Sequence, residues 1–512
     1  MSKFKHPYYP IIYVRGFAGT MSEVENTSAT PFMGFNLGST KLRQAWTGEL
    51  RKYIFESPLV RLMKDHGYRD VYEEGRIADG PLSSRSIFIL RYYDEVSESF
   101  GGGKQLEVEH FAERLGELIA EVRDKTCSTA SDRKNFRVYL IAHSMGGLIC
   151  RCFLQNPRLS SPALKQCVDK VFTYATPHNG IDLRLLGNVM SWATENTIDN
   201  FNRKHMARYL ALKKSARTPK VPDRVDYLDC KFPAERFFCL VGTNAKDYPA
   251  GFGLANDLVG PLSDGLVRID NAAVHTAPRA HVHRSHSGPY GIVNSEEGYN
   301  NLVRFLFGDL RVEGRLLINK VSLPPEIQKL KDKGKAIRAS YHFESVVRVR
   351  GKRWDLHRRT TADNSAIFRT YADLFEREEG PRSPFLFTLY LSKDAWAKTN
   401  PRRRDLAFSL ELGVMVPEYE VDGFLFLDHH FEGGYIYRDT LIVKVTPPQN
   451  SKDRIRLQYR FESSSSGDEW QLASLQKSGS SLMLTIPIVT RHTPGIDAVI
   501  QAKIDSWNES PR

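Results

Sequence analysis

Short apolar runs, each stopped by a small or polar turn, recur through the first part of the chain. They fall at Ile11–Val14, Ser86–Tyr92, Val138–Ala142, Val171–Ala175 and Phe237–Val241. Their length and their β-branched or aromatic content predict strands buried on both faces. Between them the period lengthens. Leu106–Arg123 brings Val108, Phe111, Leu115, Leu118, Ile119 and Val122 onto one side, the stripe of a helix lying on a sheet. Strands alternating with helices predict an α/β domain over residues 1–310, built on a doubly wound, mostly parallel sheet with right-handed crossovers.

Two intervals, about 20–80 and about 180–231, are longer than a crossover needs and read as insertions. In the second, Leu183, Leu185, Leu186, Val189, Met190 and Trp192 form an amphipathic surface. It suits packing over the sheet or a lid over an apolar site equally well. After residue 310 the period drops to two. Segments such as AIRASYHFESVVRVRG, DLAFSLELGVMV and SLMLTIPIVT, separated by Gly, Pro, Ser and Asn-rich turns, predict a second domain over 311–512. Roughly nine to eleven strands would make it an antiparallel β-sandwich, a candidate lipid- or partner-binding module. The boundary is expected near Gly308–Gly314, behind the helical pattern GYNNLVRFLF.

Composition narrows this picture only a little. A chain of 512 residues outgrows one core, and 41% hydrophobic with 26% charged residues excludes wholesale disorder. The net charge of +12 is shared evenly, +6 on each side of residue 310, so no nucleic-acid-binding half stands out. Two basic clusters, Gly351–Arg359 and Pro401–Asp405, read as solvated loops, with anionic lipid headgroups as the sharper alternative. No apolar run is long enough to span a membrane, and MSKFKHPYYPIIYV lacks a signal-peptide core. The expected location is cytoplasmic, or outside the cell after export without a cleavable signal peptide. The six cysteines read as buried free thiols of a reducing compartment.

The chemistry gathers at VYLIAHSMGGL, residues 138–148. A serine on a strained strand-to-helix turn needs very small residues two before and two after it, because those positions press on neighbouring backbone. Ala142 and Gly146 meet that need around Ser144. Upstream, PIIYVRGFAGT is a strand ending in a glycine turn, and the Phe17 N–H there could face a developing oxyanion together with the Met145 N–H. Downstream, VFTYATPHNGI is another strand ending in a small-residue turn.

With Arg15-Gly16-Phe17, Ala142–Gly147 and Thr176–Gly180 in that order, residues 8–310 resemble the α/β-hydrolase superfamily, in particular lipases and related serine esterases. The resemblance implies a triad in the chain order serine, acid, histidine. For the acid, the stretch after FFCLVGT offers Asp247, Asp257, Asp264 and Asp270, and the Ser263–Val267 context SDGLV favours Asp264. For the base, His286 before Ser287-Gly288 is favoured over His283. His281, His283 and His286 could also suggest zinc, but no cysteine or organised carboxylate spacing accompanies them. Arg15 stands where the family usually has histidine, which leaves the anchoring of the oxyanion turn open and places a cation near the site.

The resemblance therefore implies a serine hydrolase with no cofactor and no metal, acting on lipid or other acyl esters as a lipase or phospholipase. The expected contacts are with substrate and peripherally with a membrane, and not with nucleic acid. A small-ester carboxylesterase or deacylase is the alternative within the same chemistry, and a non-catalytic hydrolase-fold interaction protein the alternative outside it.

Overall fold

A computed structural model describes residues 4–16, 25, 27–44, 47–97, 107–181, 200–212, 224–247, 261–288, 291–376, 383–393, 405–421, 429–447, 455–464 and 470–508. The chain divides into two compact units, one comprising Met1–Arg279 with His283–Leu302, the other Ala280–Val282 with Val303–Arg512.

Along the chain come β1 (Ile11–Val14), β2 (Ser39–Gln44), β3 (Leu50–Phe55), helix α1 (Pro58–His66), and the short β4 (Arg69–Asp70), β5 (Tyr72–Glu73) and β6 (Arg76–Ile77). Then follow β7 (Ser86–Ile89), α2 (Val108–Thr126), β8 (Val138–His143), α3 (Met145–Gln155), β9 (Val168–Tyr174), β10 (Phe237–Gly242), β11 (Arg279–Val282) and α4 (Glu296–Phe307). The main sheet has the order β11-β10-β9-β8-β1-β7-β4, and the strands from β10 to β4 pair in parallel. Strand order reverses beside β1, so the carboxyl ends of β1 and β8 flank the crevice where doubly wound sheets bind ligands.

The apolar runs locate these strands to within a few residues because both faces are covered. Ile11–Val14 and Val138–Ala142 are fully buried. The helical stripe also lands as expected. Val108, Phe111, Leu115, Ile119 and Val122 of α2 are buried, and Leu118 at the edge of the stripe is half-buried. The interval 20–80 holds β2 to β6 and α1. This helix starts where Ser57 Oγ accepts from Val60 N at 3.2 Å and Pro58 takes its first turn, and it stops at Gly67, φ 66°. The amphipathic surface Leu183–Trp192 lies outside the described residues.

Beyond α4 every long strand is antiparallel. The elements are β12 (Leu310–Ser322), helix α5 (Pro325–Asp332), β13 (Ile337–Val349), β14 (His357–Arg359), β15 (Ile367–Thr370), helix α6 (Tyr371–Phe375) and β16 (Phe385–Leu391). They continue with β17 (Leu406–Val421), β18 (His429–Thr446), β19 (Arg456–Phe461), β20 (Gln471–Leu472), β21 (Leu475–Ser478), β22 (Ser481–Val489) and β23 (Gly495–Ser506). One sheet runs β16-β12-β23-β22-β21; the other runs β14-β13-β17-β18-β19-β20, with β15 also on β13.

Alternating inward residues of both sheets form one apolar core, among them Val312, Leu316, Phe343, Leu410, Val443, Ile486 and Ile500. On β12 the inward positions are even-numbered from Leu310 to Ile318. A register shift between Ile318 and Lys320 then turns Val321 inward, as an extra residue in a bulged strand must. The described strands here number twelve against the nine to eleven expected, because β14, β15 and β20 are too short to show a period.

Four cysteines are buried, but Cys167 is half-buried and Cys230 is exposed, which corrects the expectation of six buried thiols. Of the two basic clusters, the second lies outside the described residues at positions 401–404, and Gly351–Arg359 is internally tied. There Arg358 contacts Asp363 at 2.5 Å and Asp355 at 3.4 Å, and Arg359 donates to the Ser365 carbonyl at 2.6 Å.

Candidate active site

Strand β8 ends at His143, and Ser144 takes φ 52°, ψ −126° before α3 begins at Met145. Such a backbone costs a side-chain-bearing residue roughly 1–3 kcal/mol, and it persists only where the surroundings over-determine it. They do so here. Ser144 N donates to the Tyr174 carbonyl at 2.9 Å, and the Ser144 carbonyl accepts from Thr176 Oγ1 at 2.8 Å. A Cβ on Gly146 would overlap the Val14 carbonyl oxygen, and one on Gly147 would overlap Thr176 Oγ1. The two glycines of AHSMGG are therefore demanded by two different neighbours, β1 and the TPH turn after β9.

His286 Nε2 lies 3.0 Å from Ser144 Oγ, and His286 Nδ1 lies 2.9 Å from Asp264 Oδ2. Ser144, Asp264 and His286 are all buried, with Asp264 only 1% exposed. The SDGLV turn explains why this aspartate is held so firmly. Gly265 adopts φ 100°, and the backbone turns so that Leu266 N and Val267 N donate to Asp264 Oδ1 at 3.0 and 2.7 Å. His286 N also donates to the Asp264 carbonyl at 2.9 Å. One carboxylate oxygen is thus fixed by backbone and the other meets the imidazole.

Asp247 is exposed, with Oδ2 accepting from Asn244 Nδ2 at 2.6 Å, and Asp257 lies outside the described residues. His283 follows β11 directly, and the contacts to Ser144 and Asp264 are made by His286. Among the described residues no group of three or more His, Cys, Asp or Glu is arranged to hold a metal.

Met145 opens α3, so its N–H belongs to the first turn of a helix, where donors lack intrahelical partners and the dipole favours negative charge. Phe17 lies outside the described residues, but the turn leading to it is well anchored. The Gly16 carbonyl accepts from Tyr92 Oη at 3.0 Å and Tyr93 Oη at 2.9 Å, and Tyr92 Oη also reaches the Arg15 carbonyl at 2.8 Å. Arg15 Nη1 donates to the Met33 carbonyl at 2.7 Å. Two tyrosines and this arginine thus supply the anchoring that the missing family histidine left open.

The contacts of three further residues are not legible in the sequence. His143 Nε2 meets the His286 carbonyl at 2.9 Å, with ring centroids 5.0 Å apart, so the residue before the serine braces the imidazole. Thr176 holds the turn from below. Arg151, fully buried on α3, donates to the carbonyls of His178 at 2.8 Å, Val225 at 2.7 Å and Tyr227 at 3.0 Å. Burial pushes its pKa down to about 10. An arginine inside the apolar helix GGLICRCFLQ is itself a signal of this kind, since a buried cation must be met by acceptors.

His178 is fully buried, with Nε2 3.1 Å from Thr173 Oγ1, and burial and then Arg151 hold its pKa well below the usual imidazole value. Burial, then His286, does the same to His143. In both, the folded state resists a proton that the unfolded chain accepts below about pH 6.5. Their stability contribution is present above that pH and is lost as pH falls toward the depressed folded values. Each histidine adds a slope of at most about 1.4 kcal/mol per pH unit in that window. Urea unfolding at pH 7.5 and 5.5 should show the drop, and His178→Phe should flatten it; equal slopes in both proteins would contradict this.

Residues 8–211 match the PGAP1-like alpha/beta domain family. The first unit has the α/β-hydrolase fold. Among solved structures the chain is similar to the mature lipase BlEst2 of Bacillus licheniformis, at 15% identity and TM-score 0.31 over 59% of this chain and 92% of that one. It is also similar to phospholipase PlaB of Legionella pneumophila, at 12% identity and TM-score 0.32 over 82% and 91%. A cutinase-like protein from Cryptococcus sp. follows, at 12% identity and TM-score 0.22 over 59% and 95%. With TM-scores this low, the fold assignment rests on the sheet order and the family match. No curated protein sequence matches the chain.

Proposed function

We propose that the protein is a serine hydrolase that cleaves carboxylic esters of lipids, as a lipase or phospholipase. The observation carrying this reading is the buried relay from Ser144 Oγ through His286 to Asp264, on a backbone strained at the serine. Hydrogen-bond spacing on both imidazole nitrogens is what general-base activation of a weak nucleophile requires.

In the proposed cycle His286 Nε2 takes the Ser144 proton as Oγ bonds to the ester carbonyl carbon. The carbonyl oxygen becomes an oxyanion facing the N–H of Met145, with the Phe17 N–H as second donor. Collapse breaks the bond to the alcohol oxygen, which leaves with the proton from His286. Water then attacks the acyl-enzyme, giving its proton to His286, and the second collapse returns that proton to Ser144 and releases the carboxylic acid. Asp264 keeps Nδ1 protonated and offsets the imidazolium charge. No step calls for a cofactor.

Among the described residues no helix is long and apolar enough to cross a membrane. The test is hydrolysis of short- and long-chain p-nitrophenyl esters and of phospholipid vesicles. Turnover of long-chain and vesicular substrates is expected. Activity confined to short chains would make the protein a carboxylesterase or deacylase, and none on any ester would leave a non-catalytic interaction protein.

A further inference from the structure

Strands β2 and β3 form a two-stranded sheet of their own, apart from the main sheet. The register pairs Thr40 with Ile54, Leu42 with Lys52 and Gln44 with Leu50, which puts these six residues on one face. All six are exposed. Leu42, Leu50 and Ile54 are 59, 67 and 68% exposed, and Leu37 just before the hairpin is 59% exposed. Of the eleven strongly exposed large apolar side chains among the described residues, six fall between Leu37 and Met63. Such clustering marks a contact surface, because singly scattered apolar residues are what an ordinary surface carries. A lone two-stranded sheet is also marginal in water, so it gains from a partner on its open face.

Charge selects the partner. Ser39–Phe55 carries Lys41, Arg43, Arg51 and Lys52 against Glu49, and Lys52 sits on the apolar face itself. Aliphatic side chains with one cation among them, on a hairpin whose sequence is net cationic, suit the boundary between acyl chains and anionic headgroups. By contrast, Arg358 and Arg359 of the Gly351–Arg359 cluster are already met by protein acceptors. The hairpin is tied to the segment before α4, where Ser39 Oγ donates to the Asn294 carbonyl at 3.4 Å.

We propose that the β2–β3 hairpin docks the enzyme on an anionic lipid surface through Leu42, Leu50, Ile54 and Lys52. The proposal rests on the lipid-ester reading for the nature of the substrate, but its test does not. The full chain carrying Ser144→Ala, so that no lipid is consumed, is sedimented with vesicles of phosphatidylcholine alone and of phosphatidylcholine mixed with phosphatidylglycerol. Binding to the anionic vesicles, weakened by salt, is expected. The triple variant Leu42→Ser, Leu50→Ser, Ile54→Ser should bind at least about tenfold more weakly. Lys52→Glu keeps the apolar face and should lower binding to the anionic vesicles alone, which carries the test if the triple variant misfolds.

With Ser144 restored, both hairpin variants should hydrolyse a soluble short-chain ester at the parent's rate. Equal sedimentation of parent and variants, or no sedimentation of the parent, overturns the proposal. Vesicle binding without turnover of any ester would sink the catalytic reading and leave the docking surface standing. Turnover of soluble esters without vesicle binding would do the reverse.

Discussion

Ser144→Ala is expected to lower kcat/KM for ester hydrolysis by at least about 10⁴-fold, and His286→Ala to lower it by a similar factor. The double variant loses scarcely more than either single one, because the two side chains act as one unit and either deletion removes the activated nucleophile. The effect is chemical and not structural. As the N-cap of α3, Ser144 makes no side-chain capping bond, so the hydroxyl is not holding the helix start. Alanine inherits the same strained backbone, and the Tyr174 and Thr176 bonds to residue 144 go to its main chain. Thermal unfolding should therefore be unchanged within about a degree or two while turnover collapses. Pre-steady-state assays with excess p-nitrophenyl ester read this directly, through the loss of the acyl-enzyme burst. Turnover by Ser144→Ala within about tenfold of the parent would place the nucleophile elsewhere.

Much of the arrangement around Ser144 was legible because covered parallel strands write themselves as apolar runs and because an elbow can be built only with small residues. Gly146 is forced by the approach of the Val14 backbone, and the need for small residues on either side of the serine is local enough to read, whereas Gly147 answers to the Thr176 side chain across the fold. The SDGLV context located an aspartate whose turn geometry, with Gly265 at φ 100°, now has a physical reason. Less legible were contacts made across the fold. Nothing in the spacing of Tyr92 and Tyr93 told that both hydroxyls would grip the Gly16 carbonyl, and nothing in AHS told that His143 would brace His286. Such bonds join residues distant in sequence and depend on the packing of several elements at once. Strand β14, inside a basic cluster read as a solvated loop, was missed for the opposite reason, being too short to carry a period at all.

Asp264→Asn is expected to lower kcat by about 10⁴-fold with KM little changed. The geometry decides which way the new amide points. Oδ1 accepts from Leu266 N and Val267 N, so the carbonyl oxygen of asparagine must take that side. The NH₂ group then faces His286 Nδ1, where the carboxylate oxygen stood at 2.9 Å. A donor in that place makes Nδ1 the acceptor and moves the imidazole proton to Nε2, the atom that must receive the Ser144 proton. The base is thus present, correctly placed and in the wrong tautomer. Because both backbone bonds survive, the fold should be retained, and the loss should ease at high pH only where another base substitutes. Asp247→Asn, at an exposed carboxylate engaged with Asn244, should stay within a few-fold of the parent. Parallel kcat and KM measurements on the two variants decide the matter. Near-parent turnover by Asp264→Asn, or a comparable collapse in Asp247→Asn or Asp257→Asn, would move the acid to a different residue.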